Sequence, residues 1–143
     1  QLAYWRIKVI ELLLYLSKLS FDTENRLSEY QSEQVELVRS IHKYLLDNIS
    51  QRITIDEMAR KYLINPTTLK SVFKAVYGTS IASHIKEHRM KFAARLLMET
   101  PKSIKEIAKE VGYESQSKFS KVFKEYYKVL PTEYRMFQLK QIK

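Results

Sequence analysis

The stretch that decides the fold runs from Ser103 to Arg135 and reads SIKEIAKEVGYESQSKFSKVFKEYYKVLPTEYR. Its first part has apolar residues at helical spacing, and Gly112 follows that segment. A second segment with the same spacing comes next, and Pro131 ends it. Two short helices joined by a turn that contains glycine form a helix-turn-helix. The outer face of the predicted second helix carries polar side chains of the kind that bind base edges and phosphates in a DNA major groove.

An earlier part of the chain repeats this pattern. The motif Ile55-x-x-Met58-Ala59 recurs as Ile104-x-x-Ile107-Ala108 at an offset of 49 residues. Further matches follow at an offset of 50 residues and pair Leu69, Phe73, Lys74 and Tyr77 with Phe119, Phe123, Lys124 and Tyr127. This ordered set of matches predicts two helix-turn-helix units. We place the first unit at about residues 54–78, the second at about residues 103–128, and a long linker helix over about residues 80–99.

Nearly the whole chain is predicted to be helical, because its 143 residues include only two glycines and three prolines. The predicted fold class is therefore all-α, with two helix-turn-helix subdomains joined by the linker helix. An apolar helix over residues 2–20 and a helix over residues 33–49, capped by Ser32, precede the first unit. A polar linker from Asp22 to Tyr30 is predicted between these two helices.

The domain organisation follows from these elements. Residues 1–31 are interpreted as a helix and linker, and the expectation is that they are the tail of a missing N-terminal regulatory or dimerisation domain. The alternative is that the apolar helix folds back onto the rest of the chain. Residues 32–143 are assigned to a double helix-turn-helix domain.

The positive charge is concentrated in the second part of the chain. Residues 1–50 hold 6 basic and 7 acidic groups, a net charge of −1, whereas residues 51–143 hold 19 and 9, a net charge of +10. This distribution is typical of a module that binds a polyanion. Binding to nucleic acid or to an acidic surface without sequence preference is one alternative that the charge leaves open. The absence of cysteine excludes disulfides and thiolate metal sites, and no segment has the pattern of a signal peptide or a membrane span.

A longer set of motifs resembles a known family. The linker helix carries Arg89-x-x-x-Ala93-x-x-Leu96-Leu97, and the second unit carries Ile107-Ala108-x-x-x-Gly112-Tyr113-x-Ser115-x-x-x-Phe119-x-x-x-Phe123-Lys124 followed by Pro131-x-x-Tyr134-Arg135. These motifs are similar to the DNA-binding region of the AraC/XylS transcriptional regulators over about residues 35–137. The resemblance implies a sequence-specific regulator of bacterial transcription, an activator and not an enzyme, which inserts two recognition helices into adjacent major grooves.

The resemblance also implies which residues contact DNA. The base-reading positions fall on Thr67, Lys70 and Ser71 in the first unit and on Gln116, Ser117 and Lys121 in the second. Lys74, Lys118 and Lys124 are expected to contact phosphates, which position a protein on DNA without reading its sequence. Arg135 is expected to anchor the last helix. Lys128 stands where the family has glycine, so it must adopt a left-handed conformation or end its helix differently.

The expected partners are double-stranded promoter DNA, RNA polymerase and a second copy of the chain. The second copy would associate through residues 2–20 or through the missing N-terminal domain. No membrane association is expected, the predicted location is the cytoplasm, and neither a cofactor nor a metal is expected.

One competing motif lies in the linker helix. His84-Ile85-Lys86-Glu87-His88 matches the H-x-x-E-H motif of inverted zinc peptidases, and both imidazoles would lie on one helical face. A peptidase needs a third ligand, and no downstream glutamate lies in a recognisable context. We therefore interpret these histidines as exposed residues of the linker helix, and His42 as a partly exposed residue beside an apolar stripe rather than a metal ligand.

Overall fold

The computed structural model describes residues 1–28, 30 and 32–141, and within these residues the chain forms α-helices and no β-strand. This confirms the predicted all-α class with two helix-turn-helix units. The helices are α1 (Leu2–Ser28), α2 (Ser32–Asp47), α3 (Ile55–Lys61), α4 (Pro66–Tyr77), α5 (Ile81–Glu99), α6 (Ile104–Glu110), α7 (Gln116–Tyr127) and α8 (Pro131–Gln141).

Two separate hydrophobic cores organise these helices. The first core is formed by α2, α3, α4 and the start of α5, with Val38, Ile41 and Phe73 fully buried. The second core is formed by the rest of α5 with α6 and α7, around Met90, Phe119 and Phe123 among others. Because α5 supplies buried residues to both cores, it is the element that joins the two units.

Local signals in the sequence explain where the short helices begin. Thr54 and Ser103 each accept a hydrogen bond from the backbone three residues on, and the side chains of Glu57 and Glu106 accept from the cap residues in return. These are two capping boxes, which satisfy backbone donors that the helix itself leaves free. Asn65 caps α4, and its side chain accepts hydrogen bonds from the backbone of the first helical turn.

The ends of the recognition helices need a left-handed residue. Gly78 has φ +74° after α4, and Lys128 has φ +67° after α7. The sequence leaves two options for Lys128, a left-handed conformation or a different helix end. The structure contains the left-handed conformation, which is strained for a lysine. Its Nζ donates a hydrogen bond to the carbonyl of Glu125 at 2.9 Å, which partly offsets the cost of that conformation.

The N-terminal part differs from the sequence-based expectation. The prediction of a polar linker from Asp22 is wrong, since α1 continues to Ser28. Residues 22–28 contain neither glycine nor proline, so nothing in the backbone ends the helix there. Ser32 is the first residue of α2 and not a residue outside it, and α2 ends at Asp47 rather than at residue 49. The predicted linker positions 29 and 31 lie outside the described residues.

The apolar side chains of α1 remain exposed over residues 4–16, although α1 also has contacts with α4. Trp5, for example, is 65% exposed. Folding back of this apolar segment onto the rest of the chain is therefore not observed. The exposed apolar side chains are Tyr4, Trp5, Ile7, Val9, Ile10, Leu12, Leu13, Leu14, Tyr15 and Leu16.

Arg89 connects the two units through its guanidinium group. Its Nε donates to the carbonyl of Ile49 at 3.0 Å, one terminal nitrogen donates to Gln51 at 2.9 Å, and the other donates to Gly112 at 3.3 Å. Ile49 and Gln51 precede the first helix-turn-helix, and Gly112 is the turn of the second. A Cβ on Gly112 would lie 2.9 Å from the Arg89 guanidinium and 3.0 Å from the carbonyl of Ile49, and the φ of +90° also disfavours any residue with a side chain.

Arg135 plays a similar part at the other end of α5. Its Nε donates to the carbonyl of Leu97 at 3.1 Å, and one terminal nitrogen donates to Lys102 at 2.7 Å. These bonds hold α8 against the end of α5, as expected from the sequence.

Candidate nucleic-acid interface

The first candidate surface is the outer face of α4. Thr67, Lys70, Ser71 and Lys74 are all exposed there. The opposite face of the same helix is buried in the first core through Leu69, Val72 and Phe73. The helical spacing of these two sets places every predicted contact residue of this unit on one solvent-facing side.

The second candidate surface is the outer face of α7. Ser115 caps this helix by accepting a hydrogen bond from the backbone of Lys118 at 3.2 Å, so α7 begins at Gln116. Phe119 and Phe123 are buried on the inner side. The predicted contact residues of this unit are all exposed on the other side, namely Gln116, Ser117, Lys118, Lys121 and Lys124.

The two units repeat each other closely in geometry. Both recognition helices have 12 residues. The turn before each is closed by an equivalent backbone hydrogen bond, from Ile64 to Ala59 at 3.0 Å and from Tyr113 to Ala108 at 2.8 Å. The turn residue has a positive φ in both cases, +52° at Leu63 and +90° at Gly112. The backbone therefore presents the two faces in the same way.

The chemistry of the two faces is not the same. Ser71 donates its hydroxyl to the carbonyl of Thr67 at 3.0 Å, so its donor is already used within α4. Fifty residues further along the chain, Lys121 occupies the equivalent place with a longer, charged side chain. The second face also carries Gln116, where the first has Pro66. The face of α7 thus offers more groups able to reach a ligand.

The lysines of both faces carry uncompensated charge. Within the part of the chain that the structure describes, the observed ion pairs involve other cations, such as Lys86 with Glu125 at 3.9 Å and Arg52 with Glu114 at 3.8 Å. No described carboxylate pairs with the lysines of the two faces, which are Lys70, Lys74, Lys118, Lys121 and Lys124. Their charge is therefore available to an external anion such as a phosphate.

Three histidines form a cluster that the sequence-based interpretation missed. His42 of α2 lies against His84 and His88 of α5, and all three are partly buried. The interpretation of His84 and His88 as exposed residues is therefore wrong, because their face of α5 packs towards α2 and α4. His42 also stacks on Tyr77, with ring centroids 4.3 Å apart. Only the position of His42 beside the apolar stripe of α2 hinted at this arrangement.

The glutamate of the H-x-x-E-H motif is engaged elsewhere. Glu87 accepts a hydrogen bond from Lys91 Nζ on the same helix, and this contact lowers the pKa of the Glu87 carboxyl. The third histidine of the cluster lies upstream on α2, whereas the third ligand of the peptidase motif would be a downstream glutamate.

A helix-turn-helix domain family matches residues 58–136, which is more than half of the chain. The C-terminal domain of AraT, a response regulator from Geobacillus stearothermophilus, is 34% identical with a TM-score of 0.68, over 71% of this chain and 84% of that one. The DNA-binding domain of AdpA, a global transcriptional factor solved in complex with a target DNA, has a TM-score of 0.66 over 69% of this chain and 89% of that one. At 19% identity, this second likeness is one of fold alone.

Among curated proteins, the lactose operon transcription activator of Staphylococcus xylosus is 28% identical over 130 residues, or 88% of this chain. The match covers 47% of that activator, so the chain spans about half of the relative's length. Within residues 1–28, 30 and 32–141, no helix has the length and apolarity that crossing a membrane requires.

Proposed function

The chain belongs to the AraC/XylS family of helix-turn-helix transcriptional regulators, and we propose that it binds promoter DNA by inserting α4 and α7 into adjacent major grooves. The observation that supports this most directly is the repetition of one solvent-facing helix on two equivalent scaffolds. Each repeat ends in an outer face of polar and unpaired basic side chains.

The length of the linker helix suits this mode of binding. The 19 residues of α5 span about 28 Å at about 1.5 Å per residue. Successive major grooves on one side of B-DNA are about 34 Å apart. A single chain is thus able to place two recognition helices one helical turn apart. Because the two faces differ in sequence, the preferred DNA site is asymmetric.

We assign base reading to Thr67, Lys70 and Ser71 in the first unit and to Gln116, Ser117 and Lys121 in the second. A glutamine pairs with adenine N6 and N7, and a lysine donates to guanine O6 and N7. We therefore expect the second unit to discriminate more strongly between base pairs, since the hydroxyl of Ser71 in the first unit already donates to the carbonyl of Thr67. A separate set of lysines binds phosphates, namely Lys74, Lys118 and Lys124.

Selection of bound sequences from a random DNA library tests this proposal. The expected result is an enriched motif in two parts, with centres about one helical turn apart and the more strongly defined part under α7. Retention of DNA with no enriched motif, and equal displacement by scrambled competitor, would refute sequence-specific binding. That outcome would instead support the alternative of non-specific binding driven by the +10 charge of residues 51–143.

Further aspects of the role follow from the family. We propose that the chain acts in the bacterial cytoplasm as an activator that contacts RNA polymerase, without enzymatic activity. Transcription in vitro from a promoter with the selected motif tests this, because an activator raises transcript yield from its own site and not from a scrambled site. An unchanged or reduced yield would contradict the proposal.

The exposed apolar side chains of α1 support self-association or contact with a further domain. The large apolar side chains between Tyr4 and Leu16 are each more than half exposed, and an apolar surface of this size is typical of an interface. Sedimentation of the chain with and without Trp5→Glu and Leu12→Glu separates the two options. Loss of a dimer in the double variant supports pairing through α1, whereas a wild-type chain that is a monomer contradicts it.

A further inference from the structure

The histidine cluster joins two helices at the back of the first unit. His84 and His88 lie one turn apart on α5, and His42 comes from α2. One ligand nitrogen of each ring lies within 4.8 Å of the others, and Nε2 of His42 lies 2.8 Å from Nε2 of His84. These are all the histidines in the chain. Their convergence therefore places the whole imidazole content of the chain in one small volume.

Packing alone does not require histidine at this place. Fifty residues after His84, the second unit has Tyr134 in the equivalent position. The Phe73–His84 ring centroids are 5.5 Å apart at 78°, and the Phe123–Tyr134 centroids are 5.5 Å apart at 84°. The contacts with the next ring are also equal, at 5.2 Å in both units. A tyrosine thus satisfies the same packing, and the three histidines are a feature of the first unit only.

The environment favours neutral imidazole rings. Burial lowers the pKa of His42, and the neighbouring His84 and His88 lower it further. Burial also lowers the pKa of His84, with His88 adding to the effect. A neutral imidazole has a free lone pair on one nitrogen, which is the form that binds metal ions. His42 and His84 also share a hydrogen bond between their Nε2 atoms at 2.8 Å, which a bound cation would replace by a bond to each nitrogen.

We propose that His42, His84 and His88 bind one divalent first-row transition-metal ion such as Zn²⁺, with water at the fourth position. Imidazole nitrogen is a preferred ligand for such ions, and three histidines with one water form a tetrahedral site. Bonds of about 2.0–2.1 Å in that geometry hold the nitrogens about 3.3–3.4 Å apart. The observed spacing of the ligand nitrogens, 2.8 Å for His42 and His84 and at most 4.8 Å for any pair, brackets this value.

The bound ion acts as a structural clamp. It links α2 to α5, and the His42 ring stacks on Tyr77 at the end of α4. Metal binding therefore stabilises the core on which the first recognition helix rests. His88 also lines an open groove that α2 and α5 border, so at least this ring of the cluster is accessible from outside. Catalysis is not part of this proposal, because Glu87 is paired with Lys91.

Calorimetric titration of ZnCl₂ into chelator-stripped, tag-free protein tests the site. The expected result is one ion per chain, a rise in melting temperature with Zn²⁺, and a visible absorption of tetrahedral type when Co²⁺ replaces Zn²⁺. The chain has no cysteine and only these three histidines. A signal that depends on imidazole or thiolate ligands therefore arises from this cluster alone.

Two variants make the test specific. His84→Tyr places in the first unit the residue that the second unit has there, so it preserves packing while removing one ligand. It is expected to weaken Zn²⁺ binding by more than about 100-fold, since loss of an outer-shell partner alone costs about 10- to 100-fold. Glu87→Gln is the matched control on the same helix; because the Glu87 carboxylate acts on His84 only through its charge, we expect a much smaller loss than in His84→Tyr. Absence of binding to the wild type, equal affinity in His84→Tyr, or equal loss in Glu87→Gln would each overturn the proposal.

Discussion

Arg89 is the residue whose removal tests most directly how the two units are held together. It donates to carbonyls on both sides of the junction, Ile49 and Gln51 on one side and Gly112 on the other. Arg89→Met keeps much of the apolar stem and removes the guanidinium. The bond to Gln51 is exposed and contributes little, whereas the two partly buried bonds contribute about 1–1.5 kcal/mol each. We therefore expect the free energy of unfolding to fall by about 2–3 kcal/mol.

Chemical denaturation of the wild type and the variant measures this loss. Arg95→Met is the matched control, because Arg95 lies on the exposed side of the same helix and donates to none of these carbonyls. It removes the same charge and is expected to change the unfolding free energy by less than about 0.5 kcal/mol. If Arg89→Met is no more destabilising than Arg95→Met, the carbonyl bonds do not hold the junction.

DNA binding gives a second readout of the same substitution. The proposed mode requires a constant distance between α4 and α7, so inserting one or two base pairs between the half-sites weakens wild-type binding. With Arg89→Met the units move more freely, and we expect a smaller penalty for altered spacing together with unchanged affinity for a single half-site. An unchanged spacing penalty would refute the idea that Arg89 sets the distance between the recognition helices.

Three further outcomes are expected. Gln116→Ala is expected to reduce the free energy of binding to the selected site by about 1–3 kcal/mol and to relax the sequence preference. Lys124→Ala is expected to weaken binding to every sequence and to reduce the slope of log K against log salt concentration by about 1. Fluorescence anisotropy over a range of salt concentrations measures both, and equal losses on target and random DNA for Gln116→Ala would contradict base reading. Lys128→Gly is expected to stabilise the fold by about 1 kcal/mol because it removes a left-handed lysine, and Gly78→Ala is expected to destabilise it by about the same amount. Thermal unfolding compares the two variants, and melting temperatures that shift in the same direction would contradict the explanation by positive φ. Leu63→Gly is expected to raise the melting temperature for the same reason, since Leu63 is 94% exposed and its side chain loses few contacts; an unchanged or lower melting temperature would show that its side chain matters.

Much of the fold was predictable because the signals that determine it are local. The capping pairs Thr54 with Glu57 and Ser103 with Glu106 each span three residues, so they are readable from the chain alone. The same is true of the outer faces of α4 and α7, which follow from helical spacing. The predicted DNA contacts themselves remain predictions, because exposure on a helix face does not identify the group that is bound.

The two wrong predictions have different physical causes. The polar residues from Asp22 onward indicate a linker, but α1 continues to Ser28 because a helix without glycine or proline runs on through polar residues. The histidines were misinterpreted because His42 and His84 are 42 residues apart, and their contact depends on how α2 packs on α5.

The sequence by itself determined that this chain has two helix-turn-helix units of one family, with Ser103–Arg135 as the chemically richer repeat. Caps, helix-ending residues and apolar spacing act within a few residues, so the order of the amino acids is enough to predict them. Only the tertiary structure decided how the two units are joined and that three histidines meet between α2 and α5 of the first unit. The bonds of Arg89 to Ile49 and Gly112 span 40 and 23 residues. Such long-range contacts exist only after two separate cores have packed along opposite ends of α5.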